Sequence, residues 1–239
     1  MPGKSLANTR PILVLTRPAA QSQRFAAQFA ARFGEDWPVL IAPLQQIVPL
    51  HPEIPIAREL IFTSENAVAP LVALSPAQGR RAWCVGGRTA EAAAGAGFEA
   101  IAGAGDGAAL AAMIVAAKPT GPLLHAHGEH QAFDISAALN SAGIEANTAQ
   151  VYAQQAQPLT EAAAALLAGT SPLVVPLFSP RSARLFAEAA KNACAPLQIA
   201  AISAATAGPC AALAPERIET AARPDAESML DVLSRVMAG

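Results

Sequence analysis

Short apolar runs alternate along this chain with longer Ala-rich stretches, and that alternation is what most narrows its fold. Pro11-Ile-Leu-Val-Leu15 reads as a buried strand. Residues 19–33 follow, with Phe25, Phe29 and Phe33 four apart on one helical face, and Gly34 ends the run. Residues 60–62, 82–85 and 100–102, and the run that begins at Leu123, read as further strands. Each passes through a small polar or Gly-rich turn into a helix: from Ala67, up to Gly95, over 108–117 and over 132–141. The later half repeats this grammar. Strands are expected at 173–178, 197–202 and 218–221, and helices after Ser179, after Ser203 and over 229–237. Strands spaced by helices of roughly 10–15 residues imply βαβ units and parallel sheets.

The two halves are also copies. Phe62-Thr-Ser-Glu-Asn-Ala67 lines up with Phe178-Ser-Pro-Arg-Ser-Ala183, Val85-Gly-Gly-Arg-Thr-Ala90 with Ile202-Ser-Ala-Ala-Thr-Ala207, and Asp106 with Asp225. A single large offset means two copies of one α/β unit rather than a solenoid. The later copy restarts only near Leu173 and lacks a first strand, so the N-terminal βα unit is assigned to it. The expected organisation is therefore one discontinuous lobe, 1–39 with 156–239, and an inserted lobe, 40–155. Extended connectors at about 40–49 and 148–155 would form a hinge beside a cleft.

Composition excludes several classes. Sixteen Lys and Arg stand against 18 Asp and Glu, with no basic stripe, so nucleic-acid binding is not expected. Cys84, Cys194 and Cys210 are too scattered for a disulfide framework and include no CxxC pair. Residues 1–10 are polar and lack the apolar core of a signal peptide, and no membrane span is expected. The expected setting is the cytoplasm.

In open α/β sheets ligands bind beyond the carboxyl ends of the strands. The residues there are Thr16 and Arg17; Thr63, Ser64 and Asn66; Gly86 and Thr89; His127 and Gly128; Ser179 and Ser182; and Thr206. Each polar one could simply cap its own helix. The same helix starts also offer N–H groups and a positive dipole end to anions, so together they could hold a ligand with many carboxylates. GxxxxGK[ST] and a GxGxxG after a strand are both missing, which argues against a nucleotide site. His125-Ala-His-Gly-Glu-His130 fits the H-x-H-x-[DE]-H outline of metallo-β-lactamase-type hydrolases, but no His follows it. It is better read as solvated or ligand-facing His in a turn, with 127–129 opening a helix. Tyr152 is the lone tyrosine, in the second connector. It is either a packed ring at a hinge or a phenol that hydrogen-bonds or protonates a ligand.

Taken in order, these pieces resemble uroporphyrinogen-III synthases. The matching segments are Val14-Leu-Thr-Arg-Pro18, Ile61-Phe-Thr-Ser-Glu-Asn-Ala-Val68, Val85-Gly-Gly-Arg-Thr-Ala90, His127-Gly-Glu129, Val151-Tyr152, Phe178-Ser-Pro180, Ile202-Ser-Ala-Ala-Thr-Ala207, Ala222-Arg-Pro224 and Met229-Leu230. The resemblance implies two flavodoxin-like lobes with parallel sheets and a two-stranded antiparallel connector. It implies closure of hydroxymethylbilane to uroporphyrinogen III, with the terminal ring inverted through a spiro intermediate and no metal or organic cofactor. Tyr152 would assist departure of the terminal hydroxyl; Thr63, Ser64, Thr89, Ser179 and Thr206 would be substrate contacts. A monomer is expected, with a passing encounter with the preceding pathway enzyme. The chain departs from the pattern at Ser203-Ala-Ala-Thr206, which lacks the usual Gly, at Gln154, and at His127, where Arg is common. A two-lobed protein that binds an anionic tetrapyrrole or another polycarboxylate without catalysis is the competing reading.

Overall fold

The computed structural model describes residues 10–237; the leader reading rests on residues that lie almost wholly outside that range. In chain order the first elements are β1 (Ile12–Leu15), α1 (Ala19–Phe33), β2 (Val39–Ile41), β3 (Gln45–Pro49) and β4 (Glu59–Phe62). A 3-10 turn (Glu65–Ala67), α2 (Val68–Leu74), β5 (Arg81–Cys84), α3 (Gly87–Gly95), β6 (Glu99–Ala102) and α4 (Gly107–Ala117) follow. Then come β7 (Leu123–Gly128), α5 (Ile135–Ser141), β8 (Ala146–Ala156), α6 (Glu161–Ala168), β9 (Leu173–Leu177) and α7 (Pro180–Ala189). The chain closes with β10 (Leu197–Ala201), α8 (Ala204–Ala207), a 3-10 stretch (Gly208–Leu213), β11 (Arg217–Thr220) and α9 (Ala226–Met237).

The described chain forms two compact units, one of Ile47–Gln154 and one of residues 10–46 together with 155–237. The discontinuous unit holds a five-stranded sheet in the order β11-β10-β9-β1-β2, with its neighbouring strands parallel. Numbered along the chain within that unit, the order is the 2-1-3-4-5 of flavodoxin-like folds, with its switch point between β1 and β9. Both faces are covered, so the strands are continuously apolar rather than alternating. Leu13 and Leu15 pack with Phe25 and Phe29 of α1 and Met229 and Leu233 of α9. Val14 turns the other way, to Leu167 of α6 and Phe186 of α7. Phe29 is 0% exposed, and cutting it to Ala should cost about 3–5 kcal/mol. Gly34 closes α1 at φ 99°, a conformation that glycine takes without penalty.

One seam of this sheet is short. β1 and β9 are in register at Ile12↔Leu173 and Leu13↔Val174 only, and Pro176 follows on β9 with no N–H to donate. The ladder is therefore sparse in backbone hydrogen bonds at its carboxyl end, at the switch point.

The inserted unit carries the order β3-β8-β7-β4-β5-β6. Its five parallel strands, β8-β7-β4-β5-β6, have the same spatial layout as the first sheet, with β7 standing where β1 stands and β4 where β9 stands. In chain order they read 3-2-1-4-5 instead, because this unit starts at its middle strand and adds the βα pair last. On one face Leu60, Phe62, Leu124 and Ala126 meet Leu71 of α2 and Ala93 of α3. On the other, Ile61, Trp83 and Leu123 meet Leu110 and Ile114 of α4 and Leu139 of α5. At the amino ends the Trp83 indole N–H donates to buried Glu59 at 2.7 Å, which satisfies that carboxylate.

Three expectations change here. Residues 40–49 are not one connector. β2 pairs in parallel with β1, and the chain then breaks around Pro43 before β3 joins the other sheet. β3 and β8 lie side by side; Leu50 donates to Val151, while Gln157 donates to Leu44, so their numbering runs in opposite senses. β7 runs on through Gly128, and the helix after it, α5, starts at Ile135, capped by Asp134. His127-Gly-Glu129 therefore opens no helix. Finally, α8 is a single turn that tightens into 3-10 geometry at Gly208-Pro209.

Candidate functional site

The polar residues at the strand ends stand on the carboxyl edge of each sheet, and their hydrogen bonds separate caps from groups with donors to spare. Ser64 accepts from the Asn66 N–H at 3.2 Å and caps the 3-10 turn. Ser179 and Ser182 form a reciprocal capping box at the start of α7: Ser182 N–H donates to Ser179 Oγ at 3.1 Å, and Ser179 N–H donates to Ser182 Oγ at 3.1 Å. Both serines spend oxygen on their own helix. α3 differs. Gly86 stands at its N-cap and Gly87 is its first residue, and no side chain caps it. Thr89, one turn in, is buried at 6% exposure.

In the discontinuous unit the carboxyl edge at the switch point carries Thr16 and Arg17. The Arg17 guanidinium lies 4.2 Å above the Phe178 ring, a cation–π contact that holds a positive group at the carboxyl ends of β1 and β9. The Thr16 hydroxyl is buried with no hydrogen-bond partner among the described residues. Thr206 is fully buried, and its hydroxyl lies 3.0 Å from that of Ser203, which completes a polar pair on α8.

In the inserted unit three groups converge where β4 and β7 end, beside β8. His125 and His127 point to the α4–α5 face of β7, with rings 5.1 Å apart. His127 Nδ1 lies 2.7 Å from the Gly128 carbonyl and Nε2 lies 3.3 Å from Gln131 Nε2, so a neutral ring protonated at Nδ1 satisfies both. His125 Nε2 is 2.9 Å from Thr63 Oγ1. The expectation of solvated or ligand-facing histidines fails for His125, which is 0% exposed. Its imidazole is held at a pKa of about 3, first by burial and then by His127, with Asp134 opposing. The sheet claims this His because its neighbours β4 and β8 extend past it on both sides. Among the described residues no group of three His, Cys, Asp or Glu is arranged to hold a metal ion.

Tyr152 sits on β8, inside the sheet rather than on a free connector. The β7–β8 register slips by one residue between His127↔Gln150 and Gly128↔Tyr152. This bulge turns both Val151 and Tyr152 inward, at 0% and 5% exposure. The phenol ring lies directly over Gly128. A methyl at Gly128 would stand 2.4 Å from the ring's Cζ and 2.8 Å from its hydroxyl oxygen. Gly128 is thus the space in which the phenol lies. Among the described residues that hydroxyl has no hydrogen-bond partner.

The structure therefore brings together Thr63 with His125, Gly128 with Tyr152, Arg17 with Phe178, and Thr206 with Ser203. Sequence reasoning names Tyr152 and Ser203 singly and gives His125 a motif signal, but it pairs none of them with these partners. Phe178 is the partner without a chemical signal of its own in the sequence.

The sequence matches the family described as Uroporphyrinogen-III synthase HemD over residues 23–231. The fold is similar to that of uroporphyrinogen-III synthetase from Helicobacter pylori, with a TM-score of 0.66 and 18% identity, over 95% of this chain and 100% of that one. A mutant uroporphyrinogen III synthase from the extremely thermophilic bacterium Thermus thermophilus aligns at a TM-score of 0.48 and 17% identity, over 95% of this chain and 99% of that one. No curated relative matches the sequence. A family match across most of the chain, on a fold of two permuted copies of one parallel sheet, places it: the chain belongs to the uroporphyrinogen-III synthase family.

Proposed function

We propose that this chain closes hydroxymethylbilane into uroporphyrinogen III, releasing water. Family membership over residues 23–231 carries the reading. Loss of the bilane's terminal hydroxyl leaves a cationic azafulvene. The far pyrrole attacks it through its substituted carbon, and the spiro intermediate fragments and recloses with that ring inverted. Unaided, the bilane closes without inversion. The protein's work is then mainly orientation, for which several fixed donors suit a substrate with eight carboxylates.

In this reading Thr16, Arg17, Thr63, Ser64, Asn66, Gly86, Thr89, His127, Gly128, Ser179, Ser182 and Thr206 contribute substrate contacts. Those of Ser64 and Gly86 run through backbone N–H groups, since the Ser64 oxygen serves as a cap and Gly86 has no side chain; Ser179 gives both its N–H and its oxygen to the capping box, so it contributes by fixing the start of α7. Tyr152 donates its phenolic proton to the departing hydroxyl; its ring, buried and lying over Gly128, supports that role. The chemistry needs no metal or cofactor. The protein works as a cytoplasmic monomer and takes its unstable substrate from the enzyme that makes it. Among the described residues no helix is long and apolar enough to cross a membrane.

The test is an isomer assay. Bilane is generated in situ, and the oxidised products are separated by chromatography. The expected result is type III isomer in excess of the spontaneous type I. Type I alone, with tight binding of the bilane, would leave a binding protein without catalysis.

A further inference from the structure

His125 has no part in the reaction described above, yet it is a fully buried polar ring wired to one of the edge residues. Its Nε2 lies 2.9 Å from Thr63 Oγ1, and its Nδ1 is buried with no partner among the described residues. A neutral imidazole has one N–H and one lone pair, so two arrangements fit. If Thr63 donates into Nε2, the hydrogen sits on Nδ1 and a buried N–H is left unbonded. If Nε2–H donates into Thr63 Oγ1, only a lone pair at Nδ1 is left dry. Orphaned buried N–H groups are the rarer of the two, which favours the second. His127, its ring 5.1 Å away, and Asp134 are the polar side chains near this ring, and neither bonds to Nδ1.

We propose that His125 is a positioning residue: by donating from Nε2 it occupies the inward side of the Thr63 oxygen and turns the hydroxyl's own proton out of the sheet edge, as a donor for a substrate carboxylate. A hydroxyl free to rotate can present either a proton or a lone pair. One already accepting from a buried His presents its proton, and so favours an anion at that place over a neutral or cationic group. The role rests on the reading of Thr63 as a substrate contact.

The tautomer is read directly from the ring nitrogen shifts of uniformly 15N-labelled protein, with the His125 signals assigned by their loss in His125→Gln. The expected pattern is a pyridine-type Nδ1 and a pyrrole-type Nε2. The opposite pattern overturns the proposal and needs no activity at all. The kinetic arm compares His125→Leu, which removes the donor, with His125→Gln, whose amide can still donate. His125→Leu removes the orientation of the hydroxyl and not the hydroxyl itself, so KM for hydroxymethylbilane should rise about three- to tenfold in the Leu variant, as for loss of one ordinary hydrogen bond, with kcat within about twofold and partial recovery in Gln. Equal KM in the Leu variant and wild type, or a fall in kcat alone, overturns it. If the Leu variant does not fold, Thr63→Val against Thr63→Ser gives the same comparison. Should wild type make no type III isomer, the functional reading fails. The carboxylate donor is then judged by the Kd of uroporphyrin III on the same variants, with the same rise expected and an unchanged Kd overturning it.

Discussion

Replacing Gly128 with alanine tests the arrangement of the edge most sharply, because one methyl is added where a ring already lies. The new carbon would stand 2.4 Å from Tyr152 Cζ, 2.5 Å from Cε2 and 2.8 Å from the hydroxyl oxygen, whereas ordinary contact starts near 3.4 Å. The ring must retreat by about 1 Å. It is 5% exposed and packed within the cluster that holds Phe62, Ala126 and Val151, so that retreat displaces neighbours. Overpacking of this kind costs about 1–3 kcal/mol. Gly128 is not in the left-handed backbone region, so the cost is steric and not conformational. We expect a thermal midpoint lower by several degrees and a type III yield reduced beyond the loss of folded protein. The double-mutant cycle identifies the cause. In a Tyr152→Ala background the alanine at 128 should cost little, a coupling of about 1–2 kcal/mol. Tyr152→Phe should give no such relief, since Cζ and Cε2 remain. A Gly128→Ala protein as stable and as active as wild type would refute the placement of the phenol.

Four other outcomes follow from the same observations. Tyr152→Phe should keep its fold and lose kcat about tenfold or more, by steady-state isomer assay; unchanged turnover would leave the ring a packing residue. His125 should make the protein acid-sensitive. The unfolded chain protonates it near pH 6.5 and the folded one only near 3, so below 6.5 each unit of pH favours unfolding by about 1.4 kcal/mol. Wild type should therefore lose about 2 kcal/mol more than His125→Gln between pH 7 and pH 5 in urea titrations, with His127 and Asp134 as the other ionisable groups facing the ring. Buried Cys84 and Cys210, whose thiols are pushed up to about 11 by burial, should resist a thiol reagent in the native protein while exposed Cys194 reacts. Ser179→Ala removes the capping box of α7 and should cost about 1 kcal/mol by denaturant titration.

The strands were legible because both faces of each sheet are covered, which makes them short uninterrupted apolar runs set between helices. The same logic failed at β7. His and Gly have little intrinsic preference for strand, so His125 to Gly128 reads as a turn, and only pairing with β4 and β8 keeps it extended. α6 goes unread for a related reason: Glu161–Ala168 is almost all Ala and Leu, and its faces hardly differ. The edge residues were legible by type and position. Their partners were not, because Thr63 meets His125, and Gly128 meets Tyr152, through registers set by residues far away in the chain.

The way the chain is threaded bears on how it is made. β1, α1 and β2 emerge first, yet the strand that β1 must lie against, β9, begins only at Leu173. All of Ile47–Gln154 can be completed in between. A nascent chain thus carries an early fragment with Leu13, Phe25 and Phe29 uncovered while a finished neighbour folds beside it. Synthesis of this protein has a built-in waiting period, and chaperone demand should fall on its opening forty-odd residues rather than on its middle.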